Sequence, residues 1–175
     1  GSVYRLESDA GSRLGTTAGS QARHILSEVI VTVGELEENR SHRHDLRDDG
    51  KSRTVLVVDD DESIRNIVQC ALKALEYRVV TVCDGIEAID YYARSPGETG
   101  VVILDLIMPR MNGRQTLLHL KSLDPGVRVI IMTGHQPPDL NEILADPSVR
   151  GYLAKPFSMK ALVESVAAAM AANSI

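Results

Sequence analysis

Six side chains in this sequence repeat one placement. Asp59, Asp60 and Asp61 follow the apolar run Val55-Leu56-Val57-Val58, and Asp105 follows Val101-Val102-Ile103-Leu104. Thr133 follows Val127 to Met132, and Lys155 stands just past Tyr152-Leu153. If those runs are parallel strands of one sheet, all six side chains meet at its carboxyl edge, where open parallel sheets bind ligands. Carboxylates crowded within a few ångströms repel one another, and without a cation at least one of their pKa values rises. A hard divalent cation with oxygen ligands removes the conflict, and Mg²⁺ is the natural choice where phosphates are handled. One carboxylate is then free to attack phosphorus and form an acyl phosphate. The metal, Lys155 and the Thr133 hydroxyl can align and neutralise the transferred oxygens. Taken singly, each residue has a plainer use: an Asp after a strand commonly caps a helix, the role the pattern assigns to Asp61. A lone Thr at a strand end is usually structural and a lone Lys before Pro usually solvated. It is the convergence that argues for chemistry.

The elements that must bring these residues together alternate along the chain. After Val55–Val58, a helix is marked by Ile64, Ile67, Val68, Ala71, Leu72 and Leu75 at spacings of three and four. Arg78 to Cys83 reads as a second strand. Ile86, Ile89 and Ala93 indicate a second helix, ended by Ser95-Pro96-Gly97. Val101–Leu104 is the third strand, and a loop containing Pro and Gly runs to Gly113. Leu117, Leu118 and Leu120 mark a third helix, and Asp124-Pro125-Gly126 a turn. Val127–Met132 is the fourth strand. A weakly patterned helix near Pro138 carries Leu140, Ile143 and Leu144. A short fifth strand holds Tyr152-Leu153, and Met159–Ala171 is a last, Ala-rich helix with Leu162, Val163 and Val166 inward. The strands are continuous apolar runs rather than alternating ones, which signals a parallel sheet covered on both faces. Right-handed crossovers make it doubly wound. The fold class is therefore α/β.

Composition narrows the function. Over 175 residues, 43% are hydrophobic and 25% charged, ordinary values for a globular chain. The net charge of −5, with one Phe and no Trp, argues against a nucleic-acid surface, which wants a basic face and stacking rings. No apolar run approaches a membrane span, and the N-terminus lacks a signal-peptide pattern. Cys70 and Cys83 lie within apolar stretches without metal-ligand spacing, so they read as reduced core thiols and favour a cytoplasmic setting.

Four ordered blocks carry a family resemblance: Thr54–Ser63 (TVLVVDDDES), Val101–Gly113 (VVILDLIMPRMNG), Ile131–Gly134 (IMTG) and Gly151–Phe157 (GYLAKPF). They resemble the signature blocks of response-regulator receiver domains, in the same order and spacing, over essentially all of 54–172. The resemblance implies a flavodoxin-like fold with strand order 2-1-3-4-5. It implies that Asp105 is the phosphoacceptor and that Mg²⁺ is held directly by Asp60, Asp105 and the backbone carbonyl of Ile107, with Asp59 acting mostly through water. Thr133 would bond the phosphoryl group and shift toward it, Lys155 would pair with its oxygens, and Tyr152 would turn inward as an aromatic switch. Pro156 would follow a cis peptide bond. The implied phosphodonor is a sensor histidine kinase or histidine phosphotransfer protein. A downstream protein would read the face formed by the fourth helix, fifth strand and fifth helix. Ile107 and His135, each two residues past a key position, flank the path of a hydrolytic water. Because Ile107 cannot orient that water, slow to moderate loss of phosphate is expected.

Residues 1–53 read as a linker or the remnant of a preceding domain, rich in Gly, Ser, Thr, Arg and acidic residues. Tyr4–Thr17 (YRLESDAGSRLGTT) resembles the last glycine-containing strand pair of a histidine-kinase ATP-binding domain, if a two-residue insertion is allowed. The nucleotide-binding blocks of such a domain are absent. His44–Arg47 (HDLR) echoes a phosphoacceptor-histidine box without its usual Pro. Ile25 to Leu36, within a possible helix near 22–38, presents Leu26, Val29, Ile30 and Val33 on one face. The chain is thus expected to be a single-domain regulator or the receiver of a hybrid kinase, with no DNA-binding output after the last helix. Two other classes compete. A pseudo-receiver would act only as an interaction module, against which the retained Asp59, Asp60, Asp105, Thr133 and Lys155 speak. A metal-dependent phosphatase with an Asp nucleophile would want a second Asp where Ile107 stands.

Overall fold

A computed structural model describes residues 54–171. The readings of the N-terminal tail, including the helix near 22–38 and the HDLR segment, lie outside the described residues. Five strands alternate with five helices: β1 (Thr54–Val58), α1 (Glu62–Lys73), β2 (Arg78–Val82), α2 (Gly85–Arg94), β3 (Thr99–Asp105), α3 (Gly113–Leu123), β4 (Val129–Thr133), α4 (Leu140–Leu144), β5 (Val149–Ala154) and α5 (Met159–Ala171). The strands form one parallel sheet in the order β2-β1-β3-β4-β5. This is the flavodoxin-like order the family resemblance implies.

The period-two geometry of the strands divides the core into two layers. Val55, Val57, Val101, Ile103, Ile130 and Met132 face α1 and α5, meeting Val68, Leu72, Leu162 and Val166. Leu56, Val58, Val102, Leu104, Val129 and Ile131 face the other way, onto Ala88, Tyr92, Leu117, Leu120 and Ile143 of α2, α3 and α4. Every residue of β1 and β4 is buried. Runs of Val, Ile and Leu are what such doubly covered strands demand.

Helix starts are set by short polar side chains. Asp61 caps α1 by accepting from the Ser63 N–H at 2.8 Å, and Asp84 caps α2 by accepting from Ile86 and Glu87 N–H groups. Asn112 and Gln115 cap α3 reciprocally, each side chain accepting the other residue's N–H. Asp139 precedes α4 without capping it; its carboxylate pairs with Arg114 of α3 instead.

Three sequence expectations shift. The second helix turns Ala88 and Tyr92 inward and leaves Ile86 39% exposed. Gly85 is buried on the same side, where a Cβ would lie 2.0 Å from Thr116 Oγ1 of α3. The thiols are free but are not core groups: Cys70 is exposed and Cys83 half-buried. Cys70 falls off the α1 face carrying Val68, Ala71 and Leu72. Finally, β3 and β4 extend far enough to include Asp105 and Thr133, since backbone pairing rather than apolarity ends a strand. Among the described residues, no helix is long and apolar enough to cross a membrane.

Candidate functional site

Strand register brings the acidic residues together. Val58 of β1 pairs with Leu104 of β3, so Asp59 and Asp105 emerge side by side. Asp105 pairs with Met132, and Thr133 with Ala154, which sets Lys155 at the next position of the same edge. The Lys155 N–H donates to the Thr133 carbonyl at 2.9 Å, tying the last of these to β4. The α3 start packs directly under Asp105: a Cβ on Gly113 would lie 2.2 Å from the Asp105 carbonyl oxygen. Only glycine permits that approach.

Lys155 Nζ donates to Asp59 Oδ2 and to Asp105 Oδ2, at 2.6 Å each. The second oxygen of each carboxylate accepts a backbone N–H, from Asp61 at 2.9 Å and from Ile107 at 3.1 Å. The three side chains are 0%, 7% and 17% exposed for Asp59, Asp105 and Lys155, so the pairs are desolvated. Burial pushes the Asp59 carboxyl above the ordinary carboxylate range, outweighing the lowering effect of Lys155 and the Asp61 N–H. Burial works against the Lys155 ammonium too. Its hydrogen bonds to Asp105 and Asp59 outweigh that effect and hold its pKa above the usual lysine value. The lysine is therefore charged at neutral pH, and the two carboxylates share one cation.

Asp60 completes the group. It is exposed, and one oxygen from each of Asp59, Asp60 and Asp105 lies within 4.8 Å of the other two. Three carboxylates this close, with Asp60 open to solvent, fit a small hard cation such as Mg²⁺, which takes oxygen ligands and keeps several waters. A second acidic group, Cys83, Asp84 and Glu87, lies beyond β2. There Asp84 is already committed, with one oxygen capping α2 and the other held by Arg110 Nη1 at 2.7 Å. Glu87 accepts the Cys83 N–H and pushes the Cys83 thiol up.

The remaining sequence candidates surround this centre. Thr133 is buried, and its hydroxyl donates to the His135 carbonyl at 3.0 Å while accepting the His135 N–H at 3.3 Å. It is thus engaged in its own loop rather than with Lys155. His135 is exposed, and the Ile107 side chain is 51% exposed. Tyr152 is half-buried on β5, opposite Ile131, and packs against the layer that α2, α3 and α4 cover. The Lys155–Pro156 peptide bond is cis. Two arginines escaped the sequence reading. Arg65 Nη1 donates to the carbonyls of Asp59 at 2.6 Å and Asp60 at 2.9 Å. Arg110 adopts φ +65°, a conformation that costs a non-glycine residue about 1 kcal/mol or more, and binds Asp84. The signal for Arg65 was its spacing: a residue in the second turn of a helix can fold back over the cap. Nothing in the sequence pattern singles out Arg110.

Comparison with known proteins identifies the family and the fold. The family profile of the response regulator receiver domain matches residues 55–167. Sensor kinase CckA of Brucella abortus is 32% identical over 115 residues, which are 66% of this chain and 12% of the kinase. The probable transcriptional regulatory protein TcrX of Mycobacterium tuberculosis is 34% identical over 119 residues, or 67% of this chain and 49% of TcrX. The chain thus spans half or less of the length of these curated relatives. Among solved structures, response regulator TrrA of Thermotoga maritima, in complex with Mg²⁺–BeF, superposes with a TM-score of 0.59 at 25% identity. That match covers 66% of this chain and 97% of TrrA.

Proposed function

The chain belongs to the response regulator receiver domain family, and from that premise we propose that residues 54–172 take a phosphoryl group from a phosphohistidine onto Asp105. The observation that carries this reading is the single ammonium of Lys155 shared at 2.6 Å by two buried carboxylates, beside a third that is open to solvent. Mg²⁺ held by Asp59, Asp60, Asp105 and the Ile107 carbonyl would supply the missing positive charge. An Asp105 carboxylate oxygen attacks phosphorus, the O–P bond forms as the donor's N–P bond breaks, and the imidazole nitrogen leaves with the bonding pair. Lys155 then exchanges a carboxylate oxygen for a phosphoryl oxygen. The Thr133 hydroxyl leaves the His135 carbonyl and donates to the phosphoryl group instead.

Such exchanges make a switch. Phosphorylation adds up to two negative charges and new acceptors, so the state in which Thr133 and Lys155 face the phosphate gains contacts that the other lacks. Displacement of Thr133 opens room behind it for Tyr152, which couples the site to α4, β5 and α5. We assign that face to a downstream protein, and the acidic edge to a histidine kinase or phosphotransfer protein. The two relatives are a sensor kinase and a probable transcriptional regulator. This chain fits either setting, as the receiver of a hybrid kinase or as a regulator, and in both the reaction is cytoplasmic.

The test is incubation with Mg²⁺ and a small acyl phosphate donor, followed by intact mass. One labile phosphate adduct is expected, lost with EDTA and in Asp105→Asn. An adduct that persists in Asp105→Asn would move the site elsewhere. Turnover of phosphate esters without an adduct would favour a phosphatase, and no adduct at all an interaction module.

A further inference from the structure

Resting on the assignment of Mg²⁺ to the acidic edge, we propose that Arg65 is a positioning residue that aims Asp60 at the cation. The connection between β1 and α1 contains Asp59, Asp60 and Asp61. Two of these are fixed through their own side chains. Asp59 is held by Lys155 and by the Asp61 N–H, and Asp61 caps α1 through the Ser63 N–H. Asp60 is different: among the described residues its carboxylate accepts no hydrogen bond, so its placement rests on the backbone from which it projects.

That backbone has left the strand and has not yet entered the helix, and its carbonyls lack donors from either. Arg65 provides them. Its Nη1 bonds the Asp59 carbonyl at 2.6 Å and the Asp60 carbonyl at 2.9 Å. The first carbonyl belongs to the peptide plane before Asp60 and the second to the plane after it. Holding both planes fixes φ and ψ of Asp60, and with them the direction of its Cα–Cβ bond. Bonds from a charged donor are stronger than those between neutral groups, which suits a part-exposed loop that water would otherwise loosen. The consequence falls on the metal because Mg²⁺ demands near-octahedral ligands at about 2.0–2.1 Å and tolerates little error in their placement.

The guanidinium charge acts the other way, since a nearby cation repels Mg²⁺. If charge dominated, removing Arg65 would tighten binding; if positioning dominates, removal weakens it. Mg²⁺ titrations of the full chain by calorimetry, with no phosphodonor, decide between the two. Arg65→Met is expected to weaken Mg²⁺ binding on the order of tenfold, as for other residues that orient metal ligands. Arg65→Lys, which keeps the charge but ends one bond shorter and without the planar guanidinium, should fall between. Arg94→Met, at an exposed pair with Asp90 on α2, should bind as wild type. Melting without Mg²⁺ should be alike in all three variants, because water can solvate the freed carbonyls. At saturating Mg²⁺ the phosphorylated fraction of Arg65→Met should recover. Unchanged or tighter binding in Arg65→Met overturns the proposal. Should that variant fail to fold, wild-type affinity in both Arg65→Lys and Arg65→Gln overturns it equally. If the wild-type chain takes up no Mg²⁺, the metal assignment falls and this proposal with it; wild-type uptake with unaltered uptake in the variants removes Arg65 alone.

Discussion

Among the described residues, Lys121 and Lys155 each bond aspartate, and Asp146 and Asp59 respond in opposite directions. Lys121, near the end of α3, meets Asp146, just past α4, with side chains 32% and 18% exposed. Burial pushes the Asp146 carboxyl up, but Lys121 and the Ser148 N–H outweigh it, and the pKa falls below its ordinary value. Lys155 meets Asp59 and Asp105 at the sheet edge, where Asp59 is fully buried. There burial wins, and the Asp59 pKa rises. One cation per carboxylate at the half-open rim leaves the acid satisfied. One cation for two carboxylates in the interior does not. The effective penalty for burying an ion is several kcal/mol, comparable to what about two buried Leu or Val side chains contribute. The β1 and β3 runs that end in these aspartates are well placed to offset it. A structural ion pair is closed, whereas the edge is a site still short of positive charge.

The largest effect should follow from deepening that shortage. In Lys155→Met, Asp59 and Asp105 lose their common counter-ion, and removal of one partner from a buried ion pair typically destabilises by about 3 kcal/mol or more. Denaturant melts in EDTA should show that loss at pH 7. It should shrink as the pH falls, because Asp59 takes up a proton more readily than a free carboxylate does. Phosphorylation from an acyl phosphate should drop on the order of a hundredfold or more, since a charge-stabilising group is missing. A variant that melts like wild type in EDTA would mean that the edge is not short of charge.

Mg²⁺ should sharpen the contrast next. An ion bound only by the folded state adds about 2.7 kcal/mol of stability at a hundred times its dissociation constant. Added Mg²⁺ should therefore raise the melting temperature of wild type, and should raise that of Lys155→Met further, because no ammonium competes for the Asp59 and Asp105 oxygens. It should leave Asp146→Asn no different from wild type. Equal shifts in wild type and Lys155→Met would separate the cation from the lysine's site.

The sequence carried more of the edge than of its surroundings. Asp59, Asp105, Thr133 and Lys155 could be placed because each ends a hydrophobic run, and a parallel sheet leaves one geometry for such ends. The strand order followed from the family resemblance, not from the runs. Side-chain phase was legible in α1, whose face of Val68, Ala71 and Leu72 repeats cleanly. In α2, which the sequence marks only by Ile86, Ile89 and Ala93, the inward face is Gly85, Ala88 and Tyr92, with Gly85 tight against Thr116 of another helix. Nothing in the pattern marked Arg110 as a site neighbour, and Arg65 offered only its spacing. Their partners are backbone carbonyls and a capping aspartate, whose positions exist only after the loops have folded. The engagement of Thr133 with His135 is likewise a property of a loop conformation, which residue types do not encode.

The pH dependence turns the two aspartates against each other directly. Asp59 has a folded pKa raised above 3.8, so its linkage contribution to stability is fully present below 3.8 and is lost as the pH rises through the folded value. Asp146 has a folded pKa lowered below 3.8, so its contribution is present above 3.8 and is lost as the pH falls through its folded value. Carboxyl-carbon NMR titration without metal should resolve one midpoint on each side of 3.8. Proton and Mg²⁺ compete for Asp59, so Mg²⁺ affinity should begin to fall at a pH above that of a free carboxylate. Midpoints in the reverse order would show that pairing, not burial, governs Asp59.

The smallest effect belongs to the rim. Lys121→Met removes the partner of Asp146, but both groups retain contact with water, and part-exposed ion pairs of this kind contribute within about 1 kcal/mol. Asp146 also keeps the N–H of Ser148 at 2.9 Å, so its carboxylate is not orphaned. Thermal melts should shift by correspondingly little, while Mg²⁺ affinity and phosphorylation stay at wild-type values, because the α3–α4 rim contributes no ligand to the edge. The two lysines differ in charge stoichiometry and burial rather than in bond type: each donates its ammonium to carboxylate oxygens. If Lys121→Met lost phosphorylation while remaining folded, the rim pair would have to be part of the switch, holding α4 where Thr133 and Tyr152 need it. The distinction between a closed pair and an open site would then not hold.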